Sequence, residues 1–189
     1  MTSKRSQIEM VGLVVIVLLI TVGMLFLATF ALKSDPHKKI FTRKGLSYST
    51  LSALMKATVE TNADCVPQYQ GLESPQIGKD IIDDCARYHD TDGYSQYRCR
   101  GPVSGERLHS CDFLHEMMSY LLNQTLGSWN KNYEFHSQLI VFQETTPQDL
   151  IEPVIAGGGC PKYKERDASG LFPINTDAGL VENVLYLCD

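Results

Sequence analysis

The sequence predicts an α+β protein in which one N-terminal transmembrane helix precedes a single disulfide-stapled extracytoplasmic domain of about three helices and a small sheet. Three observations support this fold class. An uncharged apolar segment lies near the N-terminus, all six cysteines follow it, and the remaining chain shows helical spacing first and strand-like alternation later. The predicted boundaries are 1–9 for a short cytoplasmic segment, 10–32 for the transmembrane helix, 33–44 for a basic juxtamembrane stalk and 45–189 for the extracytoplasmic domain.

Residues 10–32 are the predicted transmembrane helix because this stretch contains no charged side chain. Its helix would be roughly 34 Å long, and the hydrocarbon core of a bilayer is about 30 Å thick. A cleaved signal peptide is the alternative, but its apolar region is usually only about 7–15 residues long and ends in a small-residue cleavage motif. The segment here exits through Ala31-Leu32-Lys33-Ser34, without an Ala-x-Ala pattern. We therefore expect a retained anchor.

The cysteines predict up to three disulfides, which suit an oxidising compartment outside the cytoplasm. Fifteen pairings are open to six cysteines, and the sequence does not choose among them. Asn123-Gln124-Thr125 is a glycosylation sequon, which makes Asn123 a candidate glycosylation site of an exported domain. The disulfide candidates are Cys65, Cys85, Cys99, Cys111, Cys160 and Cys188.

The charges around the apolar segment conflict with this topology. Two cations precede the segment, and five follow it soon after, so the positive-inside rule alone would place the C-terminal domain in the cytoplasm. Long domains, however, translocate largely regardless of charge. With the cysteines, this favours a cytoplasmic N-terminus and an extracytoplasmic C-terminal domain. The cations after the segment predict a solvated stalk that contacts anionic lipid headgroups: Lys33, Lys38, Lys39, Arg43 and Lys44.

Three helices are predicted after the anchor. The first covers about 45–61, where Leu46, Leu51, Leu54, Met55, Thr58 and Val59 recur at helical spacing. The second follows Ser74-Pro75, since serine is a suitable N-cap and proline suits the first helical position. The third starts near Ser110 and carries the clearest amphipathic stripe, formed by Phe113, Leu114, Met117, Met118, Leu121 and Leu122. We expect Cys111 to point toward the core.

Strands are predicted in the C-terminal part of the domain. Segments 133–135 and 138–143 are rich in aromatic and branched residues, and 180–188 alternates imperfectly toward the C-terminus. The three glycines at 157–159 predict a turn before Cys160. The polar stretch 90–107 predicts a loop that Cys99 ties down.

The residues that lead into the apolar segment, Lys4-Arg5-Ser6-Gln7-Ile8-Glu9, resemble the class III signal segment of archaeal type IV pilin-like and archaellin-like proteins. The resemblance implies that Lys4 and Arg5 are the basic recognition pair, that Ser6 precedes the cut, and that Gln7 and Glu9 become the new N-terminus and its early carboxylate. In filaments of this family the apolar helices pack into a central bundle. Glu9 would be the third mature residue rather than the fifth, and Asp35-Pro36 interrupts the helix early.

No catalytic, cofactor or metal site is predicted. His109 and His115, together with Cys85, Cys99 and Cys111, offer the side-chain types that zinc prefers. The sequence has no Cys-x-x-Cys pair, and the spacings match no common zinc finger, so disulfides are the simpler use of the cysteines. His115-Glu116 also lacks the second histidine of a zinc-protease helix.

Two further groups are predicted to be structural. The aromatic residues Trp129, Tyr133 and Phe135 and the pair Met117-Met118 are expected in the core. The charged residues at 162–167 are mixed in sign, which predicts a solvated surface loop.

These observations favour a non-enzymatic, membrane-anchored structural or interaction protein, in which the expected partners are the lipid bilayer, other membrane or surface proteins, and further copies of the chain. The net charge of −5 argues against a nucleic-acid partner. An anchored binding or sensory module for an extracellular ligand is the second hypothesis. An extracytoplasmic redox enzyme is the third.

Overall fold

The computed structural model describes residues 3–32, 36–59, 64–65, 74–89, 91, 93–141, 146–160 and 166–188. The chain divides into two compact units, Met1–Lys39 and Ile40–Asp189. The first contains a long apolar helix, and the second is a mixed domain of helices and an antiparallel sheet.

Four α-helices occur among the described residues. Two single turns of π-helix extend them, one before α3 at Ile77–Ile81 and one after α4 at Asn123–Gly127. The α-helices are α1 at Ser3–Leu32, α2 at Pro36–Lys56, α3 at Ile82–Arg87 and α4 at Ser110–Leu122.

The strands form a two-stranded hairpin and a six-stranded antiparallel sheet. The hairpin consists of β1 and β2. In the larger sheet β3 and β8 pair along their whole length, from Asn132 opposite Cys188 to Ile140 opposite Leu180, while β4 and β5 pair with β3, and β6 and β7 pair with β8. The strands are β1 Cys99–Arg100, β2 Arg107–Leu108, β3 Asn132–Ile140, β4 Gln148–Asp149, β5 Val154–Ala156, β6 Arg166–Ala168, β7 Phe172–Asn175 and β8 Leu180–Cys188.

The core lies on one face of the β3–β8 pair. Successive side chains of a strand point to opposite faces, and in both strands every second residue is buried. The apolar stripe of α4 contributes Phe113, Leu114, Met118 and Leu122, all with no exposed surface. The buried strand residues are Tyr133, Phe135, Ser137 and Leu139 in β3, and Val181, Asn183, Leu185 and Leu187 in β8.

Both predicted boundaries of the first helix were wrong. Helix α2 begins at Pro36 and ends at Lys56, rather than covering 45–61. Thr58 then forms an isolated antiparallel bridge with Gln76, and the Val59 N–H donates to the Pro75 carbonyl at 2.8 Å. The β-branched residues Thr58 and Val59 fit extended backbone better than a helix, so the chain leaves the helix before them.

The second predicted helix begins later than expected. Pro75 is buried beside the bridge between Thr58 and Gln76 and is not helical. Gln76 is still extended, with φ −86° and ψ 140°, and the π-helical turn that leads into α3 begins after it. The Asp80 carboxylate accepts the Gln76 N–H at 2.8 Å. The side chain that caps this turn therefore comes from inside it and not from Ser74.

The other elements agree more closely with the sequence. Helix α4 starts at Ser110, β8 covers 180–188, and the three glycines at 157–159 form a turn with positive φ at each residue. One continuous strand, β3, contains 133–135 and 138–140, while 142–145 lie outside the described residues. The predicted loop 90–107 contains β1, because Cys99 pairs with Leu108 across the hairpin.

Candidate functional site

From Gly12 to Thr29, helix α1 is apolar on every side. Its window Gly12–Thr29 has a mean hydropathy of 2.7 and no buried residue. The Thr21 and Thr29 hydroxyls donate to the carbonyls of Leu18 and Phe26 at 3.0 and 2.8 Å, so both polar side chains are satisfied within the helix. By length and composition this helix suits a membrane anchor or an export signal.

All six cysteines are paired. The bonds are Cys65–Cys99, Cys85–Cys111 and Cys160–Cys188, with separations of 34, 26 and 28 residues. Three disulfides in one small domain fit an oxidising environment outside the cytoplasm.

Each disulfide secures a different part of the domain. Cys85–Cys111 joins α3 to the first turn of α4, and Cys111 packs against the core as expected. Cys65–Cys99 ties the segment at 64–65 to β1. Cys160–Cys188 fastens the end of β8 to the chain that follows the glycine turn, so a strand end that would otherwise fray is held.

An open groove with a volume of about 870 Å³ runs beside α4. Apolar side chains such as Leu108, Leu150 and Ile151 contribute to its lining. Its ionisable lining residues are His89, Asp112, His115, Glu116, Asp149 and Glu152.

Glu116 lines the groove and holds a loop that lines it too. Its Oε1 accepts the backbone N–H groups of Val103 and Ser104 at 2.6 and 2.7 Å. Partial burial opposes the charged carboxylate, but these N–H donors outweigh it, so the pKa of Glu116 lies below its ordinary value of 4.5. Glu116, which the sequence associated only with an incomplete zinc motif, is a loop clamp.

Asp149 has a comparable structural role in the groove. Its Oδ1 accepts from the Gln138 side-chain amide at 2.9 Å, and its backbone carbonyl lies 3.2 Å from His89 Nε2. These bonds link β4 to β3 and to the end of α3. The groove therefore presents polar groups on a fixed frame.

His109, one of the zinc ligands considered from sequence, caps α4 instead. Its Nδ1 accepts the Cys111 N–H at 3.3 Å, so Nε2 carries the proton and donates to the Tyr94 carbonyl at 2.8 Å. Cys85 and Cys111 are bonded to each other. Within the part of the chain that the structure describes, no three His, Cys, Asp or Glu side chains come together to hold a metal ion.

A nearly buried ion pair links α2 to the sheet. Arg43 Nε lies 2.7 Å from Asp167 Oδ2. Arg43 was predicted to belong to a solvated stalk, and Asp167 to a solvated loop, and both predictions were wrong. The two residues are distant in the sequence, and no local pattern indicates that they meet.

Trp129 was predicted to lie in the core, and this was wrong, because 61% of its side chain is exposed. Tyr133 and Phe135, predicted with it, are buried, and so is Met118. Trp129 lies in a turn after α4, between Ser128 and Asn130. The Gly-Ser-Trp-Asn run that follows the amphipathic stripe is a turn signal that would have identified this position.

The remaining sequence-predicted residues stay predictions. The backbone of Lys4, Arg5, Ser6, Gln7 and Glu9 lies within α1, and their side chains are outside the described set. Asn123 is exposed at the start of the π-helical turn after α4, where a modifying enzyme could reach it.

A comparison of the chain with protein-family models, with curated proteins and with solved structures finds no match.

Proposed function

We propose that the protein is a membrane-anchored structural or interaction protein, specifically a pilin-like subunit or a component of a cell-surface assembly. The observation that carries the proposal is the apolar surface of α1 between Gly12 and Thr29, a window with a mean hydropathy of 2.7 and no buried residue. A helix that is apolar on every side belongs in lipid or among other apolar helices. Three disulfides support an oxidising, extracytoplasmic location for the second unit.

The exposed face of α2 supports a role in protein contacts. Phe41 and Tyr48 are seven residues apart, so they lie on one face of the helix, and both are exposed. Ser47 and Leu51 are buried on the face that packs into the domain. Exposed aromatic side chains on a fixed helix are typical of protein contact surfaces.

The processing part of the proposal is tested by N-terminal sequencing of the natively expressed protein. A mature chain that starts at Gln7 supports the pilin-like assignment, and an Arg5→Ala variant should then accumulate unprocessed. A chain that retains Met1 or Thr2 removes the pilin-like part and leaves a plain signal anchor.

Sidedness is tested by labelling intact cells with a membrane-impermeant thiol reagent. The proposal predicts labelling only after a reductant opens the disulfides, and none before. Labelling without reduction, or labelling only after lysis, contradicts it. A cytosolic protein with an exposed thiol serves as the control for leakage.

Assembly is tested by replacing the exposed aromatics of α2. A Phe41→Ser, Tyr48→Ser variant should lose large assemblies in detergent sizing and electron microscopy. Tyr94→Ser removes an equally exposed aromatic from a different region and is the matched control. Unchanged assembly in both variants would show that this face of α2 is not a contact surface.

The groove beside α4 favours a second function, that of an anchored ligand-binding module. A volume of about 870 Å³ is within the range of small-molecule sites, about 300–1,000 Å³. This function predicts a monomer whose thermal stability rises with a polar ligand, and Asp112→Asn with Glu152→Gln should abolish the rise. A ligand screen that leaves the melting temperature unchanged, beside a chain that assembles, eliminates this function.

A further inference from the structure

The side chain of Trp129 is presented on a fixed backbone. The backbone N–H of Trp129 donates to the backbone carbonyl of Leu126, a residue with no exposed surface, at 3.2 Å, and the backbone N–H of Lys131 donates to the same carbonyl at 3.0 Å. The Asn130 N–H donates to the Gly127 carbonyl at 2.9 Å. The turn is therefore anchored in the core while its indole points outward. Exposing a large aromatic in this way costs burial energy, which a ligand would recover.

The exposed side chains in the same stretch are amides and hydroxyls. No charged residue occurs between Leu121 and Asn130, and Lys131, which follows, is partly buried. The Thr125 and Ser128 hydroxyls donate to the carbonyls of Leu121 and Thr125, each at 2.7 Å, so their oxygens present lone pairs as acceptors. The exposed residues around Trp129 are Asn123, Gln124, Thr125, Ser128 and Asn130.

These surroundings discriminate between the usual partners of an exposed indole. Insertion into a membrane surface calls for further apolar and basic side chains beside the tryptophan. A protein hot spot calls for a surrounding apolar ring that excludes water. In this turn the leucines at 122 and 126 are fully buried, so the exposed side chains between Asn123 and Asn130 are one indole and several neutral hydrogen-bonding groups.

A sugar matches this arrangement. One face of a pyranose ring presents C–H groups that stack on an aromatic plane, and its hydroxyls both donate and accept hydrogen bonds, as amide side chains do. We propose that Trp129 is the platform of a carbohydrate-binding site, on which a pyranose stacks while Asn123, Gln124 and Asn130 bond its hydroxyls.

The sugar can come from either of two sources, a glycan on this chain or a separate molecule. Asn123, the sequon residue, accepts the Ser128 N–H at its carbonyl at 3.0 Å. Its side-chain oxygen lies against Gly127, where an added Cβ would collide with it. Asn123 is therefore bonded to the residue next to Trp129, and a glycan attached to Asn123 begins in the same hydrogen-bonded turn as the indole. A saccharide from another molecule is the second source, and only the Asn123 source rests on the proposed extracytoplasmic location.

The test uses the intrinsic fluorescence of the intact protein, because Trp129 is the only tryptophan in the chain. Unglycosylated full-length protein, held in a detergent without a sugar headgroup, is titrated with a panel of neutral oligosaccharides. We expect a saturable blue shift of the emission. Asn130→Gly keeps the positive φ of 53° at this position and should weaken binding about fivefold, the effect of losing one hydrogen bond. Trp129→Ala, followed by calorimetry, should weaken it at least tenfold, while Tyr94→Ala leaves it unchanged.

A second measurement separates the two sources. Natively produced protein is compared before and after enzymatic removal of N-linked glycans. A red shift on removal, absent in Asn123→Gln, assigns the site to the chain's own glycan, and a response to added oligosaccharide alone assigns it to a separate molecule.

Three outcomes overturn the proposal. The first is an emission unchanged both by the oligosaccharide panel and by glycan removal. The others are a blue shift produced only by anionic phospholipid vesicles, which would make Trp129 a membrane contact, and one produced only by raising protein concentration, which would make it a contact between copies. A chain found in the cytosol would defeat the proposed function, while the titration would still decide the sugar site.

Discussion

Arg43 Nε lies 2.7 Å from Asp167 Oδ2, and only 12% and 8% of the two side chains are exposed. Arg43 comes from α2 and Asp167 from the short strand β6, where it stands opposite Leu187 on the buried face of the sheet. The pair therefore holds α2 against the sheet with charges that are largely removed from water.

Removing one member of this pair should be strongly destabilising. In Asp167→Ala the largely buried guanidinium of Arg43 loses this carboxylate, and breaking a buried ion pair by removing one member costs about 3–5 kcal/mol in other proteins. Arg43→Met combined with Asp167→Leu removes both charges and should cost much less. The measurement is denaturant unfolding of the full chain in detergent, followed by circular dichroism, with all four members of the double-mutant cycle.

The control for this cycle is Asp177→Ala. Asp177 pairs with Arg87 at 2.6 Å, but 78% of its side chain is exposed, so its loss should cost less than about 1 kcal/mol. A cost for Asp167→Ala as small as that of Asp177→Ala would show that the buried pair contributes no more to stability than an exposed one.

Glu116 should make the loop at 103–104 sensitive to acid. Its pKa is below 4.5 in the folded protein, so the folded state favours the carboxylate more than the unfolded chain does. This stabilisation is complete above pH 4.5 and is lost as the pH falls through the lower, folded-state pKa. Glu116→Gln keeps one acceptor oxygen but loses the charge, and it should cost on the order of 1 kcal/mol at pH 7.

The diagnostic quantity is the difference in melting temperature between the native chain and Glu116→Gln at pH 7 and at pH 3. We expect the difference to be smaller at pH 3 than at pH 7, because lowering the pH protonates the Glu116 carboxylate and removes the charge that distinguishes it from glutamine. Glu152→Gln, an exposed groove carboxylate, should show little difference at either pH. A gap for Glu116→Gln that stays constant across this range would rule out the clamp.

The disulfide connectivity is a direct prediction. Peptide mapping of the non-reduced protein should recover three crosslinked pairs, 65 with 99, 85 with 111 and 160 with 188. Replacing Cys160 and Cys188 together by serine opens a loop of 28 residues, and the chain-entropy estimate for this is about 3.5 kcal/mol.

The loss of this disulfide should loosen the structure locally as well as lower the global stability. Hydrogen exchange in the double serine variant should accelerate first at the C-terminal end of β8, next to Cys188. Any other crosslinked peptide, such as 85 with 99, would contradict the pairing of α3 with α4.

The elements that the sequence predicted well are those with a strong local pattern. Helix α4 combines an uninterrupted apolar stripe with a start at Ser110, and β8 alternates through all of 180–188. In both cases the spacing of apolar residues along the segment itself indicates which face is buried, so the prediction does not depend on knowing the packing partner.

The features that the sequence missed depend on contacts between distant residues. Whether Thr58 is helical or extended is decided by its bridge to Gln76, and whether Asp167 is solvated is decided by Arg43. The same holds for Glu116, whose partners are backbone groups of a loop in the preceding segment. Trp129 is different, because hydrophobicity favoured burial while the flanking turn residues favoured exposure, and the turn prevailed.

Asp84 should be among the least replaceable carboxylates of the domain. It is only 3% exposed, and its two oxygens accept the backbone N–H groups of Gln96 and Tyr97, each at 3.0 Å. Asp84→Ala would leave both donors without this partner in a poorly solvated place, which should cost about 3 kcal/mol. Asp84→Asn keeps one acceptor oxygen and should cost roughly half as much.

Amide hydrogen exchange of the intact protein locates the effect of these changes. Exchange should accelerate at Gln96 and Tyr97 in both variants, and more in Asp84→Ala, before it accelerates in α4 or β8. Asp83→Ala is the matched control, because Asp83 is the neighbouring carboxylate and its main partner is the exposed Arg87. If Asp84→Ala left the protection of these two amides unchanged, the carboxylate would not be what holds the segment between α3 and β1, and the Cys85–Cys111 disulfide would have to account for its order.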